Sequence, residues 1–277
     1  MPVFETPGSV SLQIKLPSGR VEVTTVDEPR TTVEVVSGRR GSDAVDDVEI
    51  RLNERHGGHV VTIERRDQLR WGPIQISWGG DIEVRITCPP GADIEFTGGS
   101  SDLRVDGDLG AVSARTASGD IKLDGVRGKL QAKTASGDLR VGSAESGGSV
   151  NTVSGDLFVE RVDETLTART ISGDVRIGDL NAPLTLGTTS GDVDIRSVSA
   201  GEIRVQTVSG DVRVAIARGT LVWIDATSVS GDLESQIGMA DSVPDGEGEE
   251  SGEVVPLHVK TVSGDVQIVH AAEAYSA

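Results

Sequence analysis

A single cysteine, Cys88, stands in 277 residues, so neither an intramolecular disulfide framework nor a cysteine-based zinc cluster holds this chain together. Aromatic residues make up only 3%, which removes the stacking platforms that polysaccharide-acting proteins favour. Positive charge is scarce as well. With 26 Lys and Arg against 44 Asp and Glu the formal charge is −18, and phosphate neutralisation needs the opposite sign, so no nucleic-acid partner is expected. No apolar run approaches the roughly 18 residues of a spanning helix, and Met1 to Pro17 lacks the basic start and apolar stretch of a secretory signal. The expectation is a cytoplasmic protein without direct membrane insertion. The four histidines, His56, His59, His258 and His270, have no partner at metal-ligand or triad spacing, so no catalytic residues, cofactors or metal ligands are expected.

What is plentiful is glycine, at 35 residues, together with short β-branched runs. A repeat organises both. The triplet Ser-Gly-Asp starts at Ser118, Ser136, Ser154, Ser172, Ser190, Ser209, Ser230 and Ser263, first at 18-residue intervals and then at 19, 21 and 33. A degenerate copy, Ser100-Ser101-Asp102, lies 18 residues before Ser118. Counted from the serine, apolar residues fall at positions 4, 6, 9, 13 and 15: Leu157, Val159, Val162, Leu166 and Ala168 in one unit, then Val175, Ile177, Leu180, Leu184 and Leu186 in the next. Apolar residues two apart on each side of a tight corner are two short strands, each with one buried face. Such a unit cannot enclose a core alone, whereas stacked copies build one apolar column. The repeat therefore predicts an all-β fold, a β-solenoid (β-helix) of about nine 18-residue coils, roughly 38 Å long at ~4.8 Å per coil, with little or no helix.

Residues 1–81 alternate apolar and polar side chains without the 18-residue period, and read as an N-terminal β-strand cap. Pro17-Ser18-Gly19-Arg20 echoes the repeat corner, so divergent first coils are expected there, and His56-Gly57-Gly58-His59 reads as a hairpin turn. Residues 82–277 form the Ser-Gly-Asp solenoid. Within them 241–253, rich in Asp, Glu, Gly, Ser and Pro, reads as a mobile acidic loop extruded from the last coil.

The repeat aligns Asp102, Asp120, Asp138, Asp156, Asp174, Asp192, Asp211, Asp232 and Asp265 into a turn ladder, each carboxylate expected to cap its own tight turn. Carboxylates ~4.8 Å apart repel by about 0.9 kcal/mol per neighbour even in water, so compensation is needed. It is at hand in Arg104, Lys122, Arg140, Arg176 and Arg213, two residues past an Asp. These cations, with Trp71 and Trp78 in a Gly/Pro-marked segment, form the candidate partner surface. Calcium on the Asp column is the alternative, although the calcium β-roll needs Gly-Gly-x-Gly-x-Asp at both turns and only one turn carries an Asp. A second column, Thr116, Thr134, Thr152, Thr170, Thr188, Thr207 and Thr261, faces inward by parity. Position 18, filled by Ala, Val, Ile or Thr, also reads as buried, which requires a bend.

The pattern T-x-S-G-D-Φ-x-Φ, as in Thr134 to Val141 and Thr170 to Ile177, resembles the DUF4097 family of adhesin-like bacterial proteins, related to the domains called toastrack. The resemblance covers residues 82–270 strongly and the first strands more loosely. It implies a repetitive β-helical fold and a non-catalytic role as an adhesive or assembly platform. Together these readings predict a non-enzymatic scaffold for protein–protein assembly with an unidentified protein partner. The alternatives are a calcium-dependent ligand-binding module and, third, a polysaccharide-acting enzyme.

Overall fold

Small β-branched residues at every second position, broken by a glycine that accepts unusual backbone angles, let the chain run, turn and run back over itself. The computed structural model describes residues 2–37, 48–55, 57–65, 82–237 and 254–271, all strand, turn or irregular with no helix among them. No helix long and apolar enough to cross a membrane occurs among these residues. We name each coil by its corner serine.

The Ser172 coil is typical. Its first strand, Leu166–Arg169, leads through Ser172-Gly173-Asp174 into a second, Val175–Leu180. Both strands pair in parallel with the next coil, Leu166 opposite Leu184 and Val175 opposite Val193. The corner serines are bridged too, Ser154 to Ser172 to Ser190, so the hydrogen-bond ladder continues around the bend. Val175, Ile177, Leu180, Leu184 and Leu186 are all buried, as the period demands. Gly173 holds φ at +141°, and a Cβ there would lie 2.1 Å from the Gly155 carbonyl oxygen. Angle and stacking both require glycine at this corner.

Val10–Thr25 is a single strand that passes through Ser18 and Gly19, with Ser18 opposite Ser100 and Arg20 opposite Asp102. The echo of the repeat at Pro17-Ser18-Gly19-Arg20 thus marks a true coil. This coil is not the outermost. Its other edge pairs in parallel with Gly58–Arg65 and Ile82–Cys88. Antiparallel strands close the stack beyond them: Val48–Arg55 on Gly58–Arg65, Arg30–Ser37 on Ile82–Cys88, and Val3–Glu5 on Arg30–Ser37. Arg55 faces Gly58 across Gly57 at φ +80°, a hairpin turn as read from the sequence. Cys88 is buried in this end, and burial pushes its thiol up to about 12.

At the far end the coils do not stack in chain order. The Ser263 coil rests on the Ser209 coil, Val212 opposite Val266, and the Ser230 coil lies outside it, Leu233 opposite Val266. The last coil in sequence is therefore not the last in space, which corrects the sequential stack that the repeat suggested. Side chains supply the reason. Val255, Leu257, Val259, Val266 and Ile268 give the Ser263 coil a full apolar face, whereas Ala226, Ser228 and Ser235 leave the Ser230 coil a poor one. The better hydrophobe takes the two-sided position. The acidic segment 241–253 lies outside the described residues.

Candidate functional site

The corner aspartates form a continuous ladder whose bonds run between coils. Oδ1 of Asp174 accepts the backbone N–H of Asp192 at 3.0 Å, and Oδ1 of Asp156 accepts that of Asp174 at 3.0 Å. Asp102, Asp120, Asp138 and Asp192 receive the N–H of the next Asp in the same way. Past the exchange of coils the chain of bonds goes from Asp211 to Asp265 and then to Asp232, at 2.9 Å each. Each carboxylate caps its neighbour rather than its own turn. Sequence reasoning placed the cap inside the turn because a single unit shows no neighbouring coil.

The second oxygens meet cations. Arg140 reaches Oδ2 of Asp138 at 2.9 Å and Arg176 reaches Oδ2 of Asp174 at 3.2 Å. Arg104 instead pairs with Asp106, leaving Asp102 to Arg20 of the neighbouring coil at 3.6 Å. Parallel register does gather the cations into one row, in the order Arg104, Lys122, Arg140, Phe158, Arg176, Asp194 and Arg213. Phe158 and Asp194 interrupt it, and several of the cations are already neutralised. Such exposed pairs add little to stability, because water and salt screen them. Among the described residues no group of three or more His, Cys, Asp or Glu converges as metal ligands. Trp71 and Trp78 lie outside the described residues.

The threonines of the second column are buried, several donating at 3.1 to 3.5 Å to a corner carbonyl, as Thr116 does to Gly99 and Thr152 to Gly137. Their hydroxyls are therefore not a surface lattice. Position 18 is the correction: Val153, Ile171, Val208, Val229 and Val262 are exposed, not buried. The chain bends on both sides of the bridged serine, at Val153 and Gly155, so the threonine turns in while the next residue turns out. Apolar side chains at a bend carry no periodic signal of direction.

This bend creates a groove of about 710 Å³ running across the coils. Arg169, Gly187, Gln206 and Lys260 stand along one flank, and Ile171, Thr189, Val208 and Val262 along the other. The buried threonines form its floor.

A second cluster joins three coils at the outer end. His258 lies opposite Arg204 on one side and Asp225 on the other. Its Nδ1 is 3.2 Å from Asp225 Oδ2 and its Nε2 is 3.5 Å from Glu202 Oε1, with Arg204 also on Glu202 at 2.6 Å. Trp223, 54% exposed, meets the His258 ring edge-on at 5.3 Å. Sequence reasoning found no partner for His258, since Asp225 is 33 residues away in a coil that chain order misplaces. The available signal was positional: Arg204, His258 and Asp225 each stand three residues before the threonine or its substitute, at Thr207, Thr261 and Ser228. Beyond this cluster the outer coil has an unpaired edge among the described residues, because Val222–Ser230 pairs only with Val255–Ser263 and Leu233–Ser235 only with Val266–His270.

The model of the family described as Toastrack DUF4097 matches residues 6–179 and again 146–269. Among solved structures, a candidate adhesin from Parabacteroides distasonis is similar at 14% identity and a TM-score of 0.42, covering 97% of this chain and 95% of that one. A candidate adhesin from Bacteroides fragilis gives 15% identity and a TM-score of 0.38, with the same 97% and 95% coverage. A candidate cell adhesion protein from Clostridium sporogenes gives 11% and 0.30, covering 95% of this chain and 93% of that one. No curated protein matches the sequence.

Proposed function

The chain belongs to the DUF4097 toastrack family, and from that premise we propose that it is a non-catalytic, adhesin-like assembly module that receives an extended segment of a partner protein at its open end. One observation carries the proposal, the edge of the Ser230 coil, which no strand pairs among the described residues. An exposed strand edge is a template for one more strand. Beside it stand Leu221, Trp223 and Leu233, each more than half exposed, with Asp225, Asp232 and Glu234. The fitting occupant is a strand that alternates apolar residues with Lys or Arg. The adhesin-like names of similar structures agree with a binding role.

The test is retention of a binding partner by three immobilised forms: the native chain, Leu221→Lys with Leu233→Lys, and Arg104→Glu with Arg140→Glu and Arg176→Glu. A protein identified on the native chain is expected to be lost from the first variant and kept by the second. The reverse pattern moves the surface to the cationic row. Retention by both variants rejects both surfaces.

A further inference from the structure

We propose that the groove beside the threonine column is a binding site for a single-chain amphiphile, a linear hydrocarbon tail ending in a carboxylate. The proposal is independent of the open edge and rests on three properties of the groove.

The first is its charge. Its lining, from Asn151 and Thr152 through Arg169, Ile171, Gln206 and Val208 to Lys260 and Val262, contains no Asp or Glu, in a chain of formal charge −18. Arg169 and Lys260 both stand on its flank, and neither is engaged in an ion pair among the described residues. The two cations stand three coils apart, roughly 14 Å, so a negatively charged head meets one of them at either end of this stretch, with no carboxylate in the groove lining.

The second is the state of its backbone. The groove runs across the strands, and the coils beneath it are already bonded to one another, Thr170 N–H to the Gly187 carbonyl, Thr188 N–H to that of Gln206 and Thr207 N–H to that of Lys260. A peptide laid along the groove finds no ladder to join, and its own amides go unsatisfied. A hydrocarbon tail makes no such demand. It meets Ile171, Val208, Val262 and Val229, apolar side chains whose exposure reaches 77% at Val229.

The third is its dimensions. The lining spans the coils of Ser154, Ser172, Ser190, Ser209, Ser263 and Ser230, so the groove is on the order of 24 Å long at ~4.8 Å per coil. One acyl chain crosses about half of a ~30 Å hydrocarbon core, roughly 15 Å, which leaves room for the head. Gly187 opens the middle of the flank, and a Cβ added there would meet no atom within 4 Å. The residue is a gap in a row otherwise filled by side chains.

That gap supplies the decisive variant. Gly187→Trp fills the groove from a position with free space, and Arg169→Glu with Lys260→Glu reverses the charge of its flank. Calorimetric titration with monomeric sodium laurate is expected to show one site on the native chain. Affinity should fall at least tenfold in each variant, with unchanged thermal unfolding. Dodecyltrimethylammonium, with the same tail and a cationic head, should bind at least tenfold more weakly than laurate, and hexanoate should show no heat. Val208→Asp is the substitute where Gly187→Trp does not fold. Absence of laurate binding to the native chain, equal binding by the folded variants, or equal binding of the cationic amphiphile overturns the proposal. Binding to phosphatidylglycerol vesicles without binding to monomeric laurate also overturns it, since the source is then a bilayer.

Discussion

The two ends of the solenoid solve the same problem in opposite ways. At one end Ile82, Val84, Ile86 and Cys88 belong to the outermost parallel coil and are nonetheless buried, because antiparallel strands cover their edge. At the other end Ile224 and Ala226 are only partly buried and Leu233 is 52% exposed. The difference teaches that parallel stacking by itself does not end. Each added coil exposes a fresh edge that must be paired, covered or blunted, and at the closed end a reversal of strand direction does so. The N-terminal strands supply that reversal; among the described residues the Ser230 coil meets none.

The comparison breaks most sharply through the exchanged coils. Leu257→Ala, in the Ser263 coil, should cost about 2–5 kcal/mol in urea unfolding, the range for a large cavity in a two-sided core. Ile224→Ala, at the homologous place in the outer coil, should cost clearly less, since a partly buried site loses less apolar burial. Equal costs would mean that the Ser230 coil is enclosed and the order of coils is wrong.

The closed end has a signature in pH. Burial raises the Cys88 thiol from its ordinary 9.0 to about 12, so the folded state keeps it neutral while the unfolded chain ionises. Its contribution is complete below pH 9 and is lost as pH rises toward 12, at about 1.4 kcal/mol per unit in that window. Cys88→Val should flatten this part of the stability profile, and the native thiol should resist labelling until unfolding. Rapid labelling of the folded chain would show that the antiparallel strands do not seal this end.

The smallest effect lies in the aspartate ladder. Asp192→Ala removes a carboxylate that accepts the Asp211 N–H, and should cost about 1–3 kcal/mol. Asp232 donates its own N–H to Asp265 but among the described residues has no further coil to cap, so Asp232→Ala should stay within about 0.5 kcal/mol. Comparable losses at both positions would indicate that the carboxylates act within their own turns.

Where the sequence is periodic it is legible, because a buried position repeated at the same place in each coil is a statement about one apolar column. Val175, Ile177 and Leu180 were readable for that reason, as was the Ser18 corner, which keeps the serine and glycine while losing the aspartate. Two features were not readable. Val208 and Ile171 are apolar yet point outward at a bend, where parity fails. The exchange of the Ser230 and Ser263 coils depends on which of two similar faces is the more hydrophobic, and chain order carries no such information. The groove and the His258 cluster follow from those two facts and were hidden with them.

The insertion of Val10–Thr25 between later segments also governs the order in which the molecule can be made. Synthesis delivers this strand before Gly58–Arg65, Ile82–Cys88 and Asp93–Leu109, the elements it pairs with, so it emerges without a partner. The Ser230 coil, too, is made before the Ser263 coil on which it rests. On a nascent chain the Ser18 coil therefore waits until residue 109 before all its strand partners exist, and the Ser230 coil waits for residues 255–270 before it has a surface to rest on.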